Sequence, residues 1–181
     1  MKVLGITVAA ALACTAGSAS AEIVESHGDG FATRHTAVVE ADRATVWQAL
    51  LHPENWWSHT WSDSSANLRL DAFAGGCFCE TLPANDGWPA GSVEHMRVVF
   101  VQPGSTLRMS GSLGPLQTEA LAGTLSVSLA DEGEGTRITW EYITGGQSRF
   151  PLDQIAPVVD SVQAEFLGGL VENLGGGSIE G

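Results

Sequence analysis

Positive charge is the scarcest property of this chain. Its 181 residues carry 8 Lys and Arg against 21 Asp and Glu, a formal net charge of −13. Lys2 is the only lysine, so arginines supply every other fixed positive charge. A surface of that sign repels phosphate backbones and anionic membranes, which argues against nucleic acid or a charged bilayer as a partner. Cysteine is nearly as scarce, and Cys14 falls inside an N-terminal apolar stretch, leaving Cys77 and Cys79. Neighbours at i and i+2 of a regular strand lie farther apart than the roughly 3.5–4.5 Å that disulfide Cβ atoms span. No disulfide scaffold is therefore expected. Long apolar runs are also missing beyond the first segment, and spanning a bilayer takes about 20 such residues. Gly75-Gly76 and Gly145-Gly146 lack the spacing and the following helix of a phosphate loop. No Ser-His-Asp order can be read.

The N-terminus has the three parts of an export signal. Lys2 forms a short positive region, Val3 to Ala13 is apolar, and Ala19-Ser20-Ala21 is a small-residue cleavage site before Glu22. Residues 1–21 are thus expected to be a signal peptide, placing the mature protein in the periplasm or outside the cell. Lipidation at Cys14 is the rival: Ala11-Leu12-Ala13-Cys14 has Ala three residues before the Cys, where Leu is expected. The remaining length suits one domain with one core. Residues 22–30 read as an N-terminal arm, 31–174 as the domain and 175–181 as a disordered tail.

Along the domain the hydrophobic period changes twice. Phe31 to Glu40 reads as a strand. Asp42 then caps a helix carrying Val46, Trp47, Leu50 and Leu51, which Pro53 stops, and Glu54 to Trp57 form another short turn. From Leu68 to Thr144 the signals are strands: Gly76–Leu82, Val93–Val101, Thr106–Gly111, Leu121–Leu129 and Thr136–Thr144. Ile155, Val159, Val162, Phe166 and Leu170 then recur at helical spacing. Pro157 fits near the start of that helix, where a missing N–H costs least. A curved antiparallel sheet needs an apolar cover, and the last helix is the element long enough to provide it.

This order, with several words of sequence, resembles the START-like helix-grip superfamily, also called SRPBCC. The words are Val46-Trp47-Gln48-Ala49-Leu50 with Pro53 and Trp56-Trp57, then Ala74-Gly75-Gly76-Cys77-Phe78-Cys79-Glu80. Val93-Glu94-His95-Met96-Arg97-Val98, Gly111-Ser112-Leu113-Gly114-Pro115-Leu116 and Gly135-Thr136-Arg137-Ile138-Thr139 follow. The branch resembled is that of the activator of heat-shock-protein-90 ATPase homologue and of polyketide-cyclase-like bacterial proteins, over residues 31 to 174. The resemblance implies an α+β helix-grip fold: a curved antiparallel β-sheet wrapped around a long C-terminal α-helix, with two short helices after the first strand. It also implies an apolar cavity for a lipid, sterol, polyketide or similar hydrophobic small molecule, and in some members cyclase or dehydratase activity. The co-chaperone activity does not transfer, because its partner is cytosolic and this chain carries an export signal. Cys-Phe-Cys-Glu departs from the branch, where charged residues flank the aromatic position.

Two groups of residues are candidates for chemistry. A symmetric hairpin about Gly87 sets Cys79 opposite His95, within one residue, since register decides the face. Cys77, Cys79 and His95 on one face would suit Zn²⁺ or a copper ion, and a reactive thiol is a further alternative, but no cofactor is otherwise expected and buried packing is the simpler account of two cysteines. Glu80 and Phe78 fall on the other face. If that face lines a cavity, burial raises the Glu80 carboxyl and fits it for acid–base work. An ion pair with Arg97 or Arg108 is the alternative. Glu80, His95 and Tyr142 are thus the candidate catalytic residues. The expected cavity lining is Trp56, Trp57, Trp61, Phe78, Glu80, Trp140, Tyr142 and Phe166, with Leu113-Gly114-Pro115-Leu116 as a gate. No protein partner can be read.

Overall fold

The computed structural model describes residues 22–180. The expected signal segment and Cys14 lie outside them. Strands β1 (Glu22–His27) and β2 (Gly30–Val39) form a hairpin, followed by α1 (Arg43–Leu50). Asp42 caps α1 as expected, its Oδ1 accepting the Thr45 N–H at 2.7 Å. A 3₁₀ turn at Pro53–Asn55 and another at Ser65–Asn67 lead to β3 (Leu68–Leu70), a short strand with no separate signal in the sequence. Then come β4 (Cys77–Leu82), β5 (Gly91–Gln102), β6 (Thr106–Ser110), β7 (Ala120–Glu132) and β8 (Gly135–Gln147). The chain closes with α2 (Leu152–Asn173) and β9 (Gly177–Glu180).

The strands make one antiparallel sheet in the order β1-β2-β8-β7-β6-β5-β4-β3. The arrangement is α+β: a curved sheet with the long C-terminal helix packed on it, the helix-grip layout. Two segments outside the expected domain, the arm and the tail expected to be disordered, form strands. The arm pairs as β1 with residues 30–34 of β2, and the tail pairs as β9 with residues 36–39 of the same strand. Since β8 occupies the other side of β2, the two ends share its remaining edge end to end. Backbone pairing on an open edge does not depend on apolar side chains, which is why neither segment announced itself.

Period-2 alternation places the core. Leu125, Val127, Ile138, Trp140 and Tyr142 are fully buried on the concave face, with Leu107 beside them. Each such side chain contributes about 1.5–3 kcal/mol by leaving water. The face also carries polar groups. Thr33, His35 and Thr144 are buried there, and His35 Nε2 lies 2.9 Å from Asp160 Oδ1 of α2. Helix α2 has two apolar stripes where the sequence suggested one. Leu152, Ala156, Leu167 and Leu170 are buried against the sheet. Ile155, Val159 and Val162 turn toward a cavity, and Phe166 joins the two faces. Pro157 sits in the second turn rather than at the start, because the helix begins at Leu152.

Candidate functional site

One irregularity in the sheet decides where the chemistry-bearing residues point. Phe78 pairs with Met96 and Cys79 with Glu94, so β5 carries one extra residue there, His95. A bulge of this kind turns two successive side chains to the same face. His95 and Met96 are accordingly both buried. Cys79 faces Glu94 across the ladder, and His95 turns inward beside Phe78, their rings 5.0 Å apart. The expected patch of Cys77, Cys79 and His95 is therefore not assembled. Instead Cys77 and Cys79 are joined by a disulfide, and Glu94 is the acidic residue beside them. The expectation against that bond assumed a regular strand, in which two residues advance about 6.6 Å. The two Cα atoms are 5.3 Å apart, within the range a disulfide accepts.

Glu80 lies on the inner face, with no measurable exposure. Its carboxylate accepts the Trp61 N–H at 3.0 Å, the Ser62 N–H at 2.5 Å and the His95 Nε2–H at 2.9 Å. Burial pushes the carboxyl upward, but the hydrogen bonds from Ser62, Trp61 and His95 outweigh it, and the group sits below its usual range. This corrects the expectation of a raised carboxyl, and neither Arg97 nor Arg108 is its partner: Arg97 bonds Glu94 and Arg108 bonds Ser126. Burial also holds the His95 imidazolium below its normal value, more than Glu80 lifts it. At neutral pH the pair is an ionised carboxylate and a neutral imidazole.

Glu80 thereby fastens the segment after α1 to the sheet. That segment carries the aromatic group Trp56, Trp57 and Trp61. Trp57 stacks on Phe166 of α2, with centroids 3.4 Å apart and planes at 14°, and meets Phe78 edge-on at 4.8 Å. Gly169 of α2 makes the close approach possible, since a Cβ there would collide with the Trp56 carbonyl. His59 reaches Glu165 of α2 at 2.9 Å on the outside.

Between this segment and α2 opens a cavity of about 870 Å³. Residues 57–61 form one wall, the apolar stripe of α2 another, and Leu113 to Leu116 the third. Trp61 and Val158 stand half or more exposed at its edge, and Phe150 a little over a third. The buried polar residues reaching it are His95 and Gln163.

Of the residues expected to line a cavity, Trp57, Trp61 and Phe166 do so, as does the Leu113–Leu116 tip. Trp56, Phe78 and Trp140 instead border a void of only about 10 Å³ inside the core. Glu80 stands behind His95. Tyr142 lies deep in the core, its hydroxyl over Gly123, and burial pushes its phenol above the usual range. Gln163, Ile155, Val159 and Val162 line the cavity. Periodicity marks the three apolar residues only as core, and a polar Gln in a helix carries no signal.

No protein-family model matches this chain, and no curated protein matches it in sequence. Solved structures do match in fold. A protein of unknown function from Staphylococcus aureus superposes with a TM-score of 0.59 at 10% identity, covering 81% of this chain and 94% of that one. Protein NE0264 from Nitrosomonas europaea gives 0.55 at 15% identity, covering 80% and 94%. DynU16, from the dynemicin biosynthetic locus, gives 0.54 at 17% identity, covering 80% of this chain and 47% of that one. At these identities the likeness establishes the helix-grip fold alone.

Proposed function

We propose that this protein binds a hydrophobic small molecule, of lipid, sterol or polyketide type, between α2 and the Trp57–Trp61 segment. The observation that carries this reading is the cavity: about 870 Å³, walled on three sides mainly by apolar side chains. Ligand sites typically measure roughly 300–1,000 Å³ and combine apolar walls with a few placed polar groups. The fold shared with DynU16 supports a ligand from small-molecule biosynthesis. The branch of the helix-grip superfamily that the sequence resembles supports a polyketide-like one. The N-terminal pattern supports export, with cleavage after Ala21. Native mass spectrometry of the mature protein from its own host tests these points together. Bound apolar mass and an N-terminus at Glu22 are expected. Absence of bound mass, with no binding to a panel of lipids and aromatic polyketides, overturns the binding reading.

The Glu80–His95 pair favours a second reading, an enzyme of the cyclase or dehydratase kind. A carboxylate that orients a neutral imidazole at the wall of a cavity equips the imidazole as a general base. Tyr142 has no part in it, being closed off in the core. Turnover that survives Glu80→Gln and His95→Ala together removes this reading.

A further inference from the structure

Two polar side chains reach the cavity from almost complete burial, and the partner each already has fixes what it can still offer. Gln163 Oε1 accepts the Trp140 Nε1–H at 2.8 Å, a bond buried at the interface of sheet and helix. An indole nitrogen can only donate, so the Gln163 amide must turn its oxygen to Trp140 and keep its NH₂ for another partner. Among the described residues that NH₂ has no hydrogen bond, and it is not one of the enclosed unpartnered atoms, so it faces open space. The space that Gln163 borders is the cavity.

His95 is fixed in the complementary sense. Its Nε2 meets Glu80 Oε2 at 2.9 Å. An ionised carboxylate only accepts, so Nε2 carries the proton, and in the neutral ring Nδ1 is left as an acceptor. Nδ1 also makes no hydrogen bond among the described residues and is not enclosed. His95 borders the large cavity and a shallower cleft beside Glu94 and Gln117.

We propose that the cavity reads one donor and one acceptor on an apolar ligand: His95 Nδ1 accepts from a ligand hydroxyl, and the Gln163 NH₂ donates to a ligand carbonyl. The ligand class is a hydroxylated apolar ketone, extended or polycyclic. A pure hydrocarbon displaces water from both groups and leaves them unsatisfied, which is costly where burial is near complete. Ser58, His59, Thr60 and Asp63 also border the cavity, but on the Trp57–Trp61 side of its mouth, where half-exposed Trp61 marks contact with solvent. This inference rests on the binding reading and adds the ligand's polar pattern to it.

Four compounds of one skeleton test it by equilibrium dialysis: flavan with neither group, 7-hydroxyflavan with the hydroxyl, flavanone with the carbonyl, and 7-hydroxyflavanone with both. The wild-type protein is expected to bind 7-hydroxyflavanone tightest, with about three- to tenfold lost for each group removed. His95→Phe is expected to erase the gain from the hydroxyl and keep that from the carbonyl, and Gln163→Met the reverse, with near-ultraviolet circular dichroism confirming the fold. The wild-type ranking stands as a test even if a variant fails to fold. Equal affinity for all four compounds overturns the inference and leaves the apolar binding site standing. No binding by any of them overturns both.

Discussion

His95 Nε2 lies 2.9 Å from Glu80 Oε2, and neither side chain is more than 3% exposed. The contact joins two adjacent strands, but its consequence lies in the loop beyond. Glu80 also holds the N–H groups of Trp61 and Ser62, so a single carboxylate ties the cavity's aromatic wall to the sheet. The side chain behind the site thus positions the site, and His95 in front of it meets the cavity.

The pair makes stability depend on pH in a fixed direction. Both groups have folded values below their free ones, Glu80 through its hydrogen bonds against burial and His95 through burial. In each window the unfolded chain binds more protons than the native one, so stability falls as pH falls. His95 acts first, below about 6.5, and Glu80 follows below about 4.3. Glu80→Gln is expected to cost about 2–3 kcal/mol at neutral pH, the scale of a charge-assisted hydrogen bond. It should also flatten the more acidic part of the profile. Urea midpoints measured from neutral pH down to about pH 2.5, through the carboxylate range, check this; an unchanged profile in the variant would remove Glu80 as its source.

Alternation and helical spacing located the core strands, α1 and α2 from sequence, because burial on one face leaves a period that side chains must obey. The site obeys no period. The bulge at His95 is one inserted residue, and it reversed the expected face of His95 relative to Cys79. The notion that Trp140 and Tyr142 line the cavity failed for a related reason. They do sit on the concave face, but α2 covers it so closely that the opening lies farther out, over Phe166. The aromatic density of Trp56, Trp57 and Trp61, and the apolar tip at Leu113 to Leu116, were legible because apolar side chains clustered outside any periodic element need a reason.

The disulfide joins residues two apart, and this limits what it contributes. On the chain-entropy account so short a loop gains about 1.5 kcal/mol at most. Cys77→Ser with Cys79→Ser is expected to lower the stability read from urea unfolding by no more than that. Alkylation followed by mass spectrometry gives the complementary check. Neither residue should be modified in the folded protein before reduction, and both after reduction and unfolding. Modification of both without reductant would contradict the bond.

Gly169 tests the packing that sets the cavity wall. Adding a methyl group there drives a Cβ into the Trp56 carbonyl, a backbone atom that cannot turn aside as a side chain can. Overpacking of this sort costs typically about 1–3 kcal/mol. Gly169→Ala is therefore expected to lower stability by that amount and to part Trp57 from Phe166, seen as a change in near-ultraviolet circular dichroism. Gly168→Ala is the control one residue away, where the added methyl meets only the Ile179 side chain at 3.9 Å and should be tolerated.

Filling the cavity separates binding from folding. Val159 is half-buried on the α2 stripe that faces the open space, away from the core stripe of Leu152, Ala156 and Leu167. A larger apolar side chain there enters existing space and does not displace neighbours, so the usual penalty for overpacking does not apply. Val159→Trp is expected to hold stability within about 1 kcal/mol of wild type while weakening any apolar ligand at least about tenfold. Val127→Trp, in the closed core, should instead unfold the protein or destabilise it severely. Thermal unfolding and equilibrium dialysis with 7-hydroxyflavanone read the two effects separately. If Val159→Trp binds as the wild type does, the ligand lies elsewhere and the cavity is not the site.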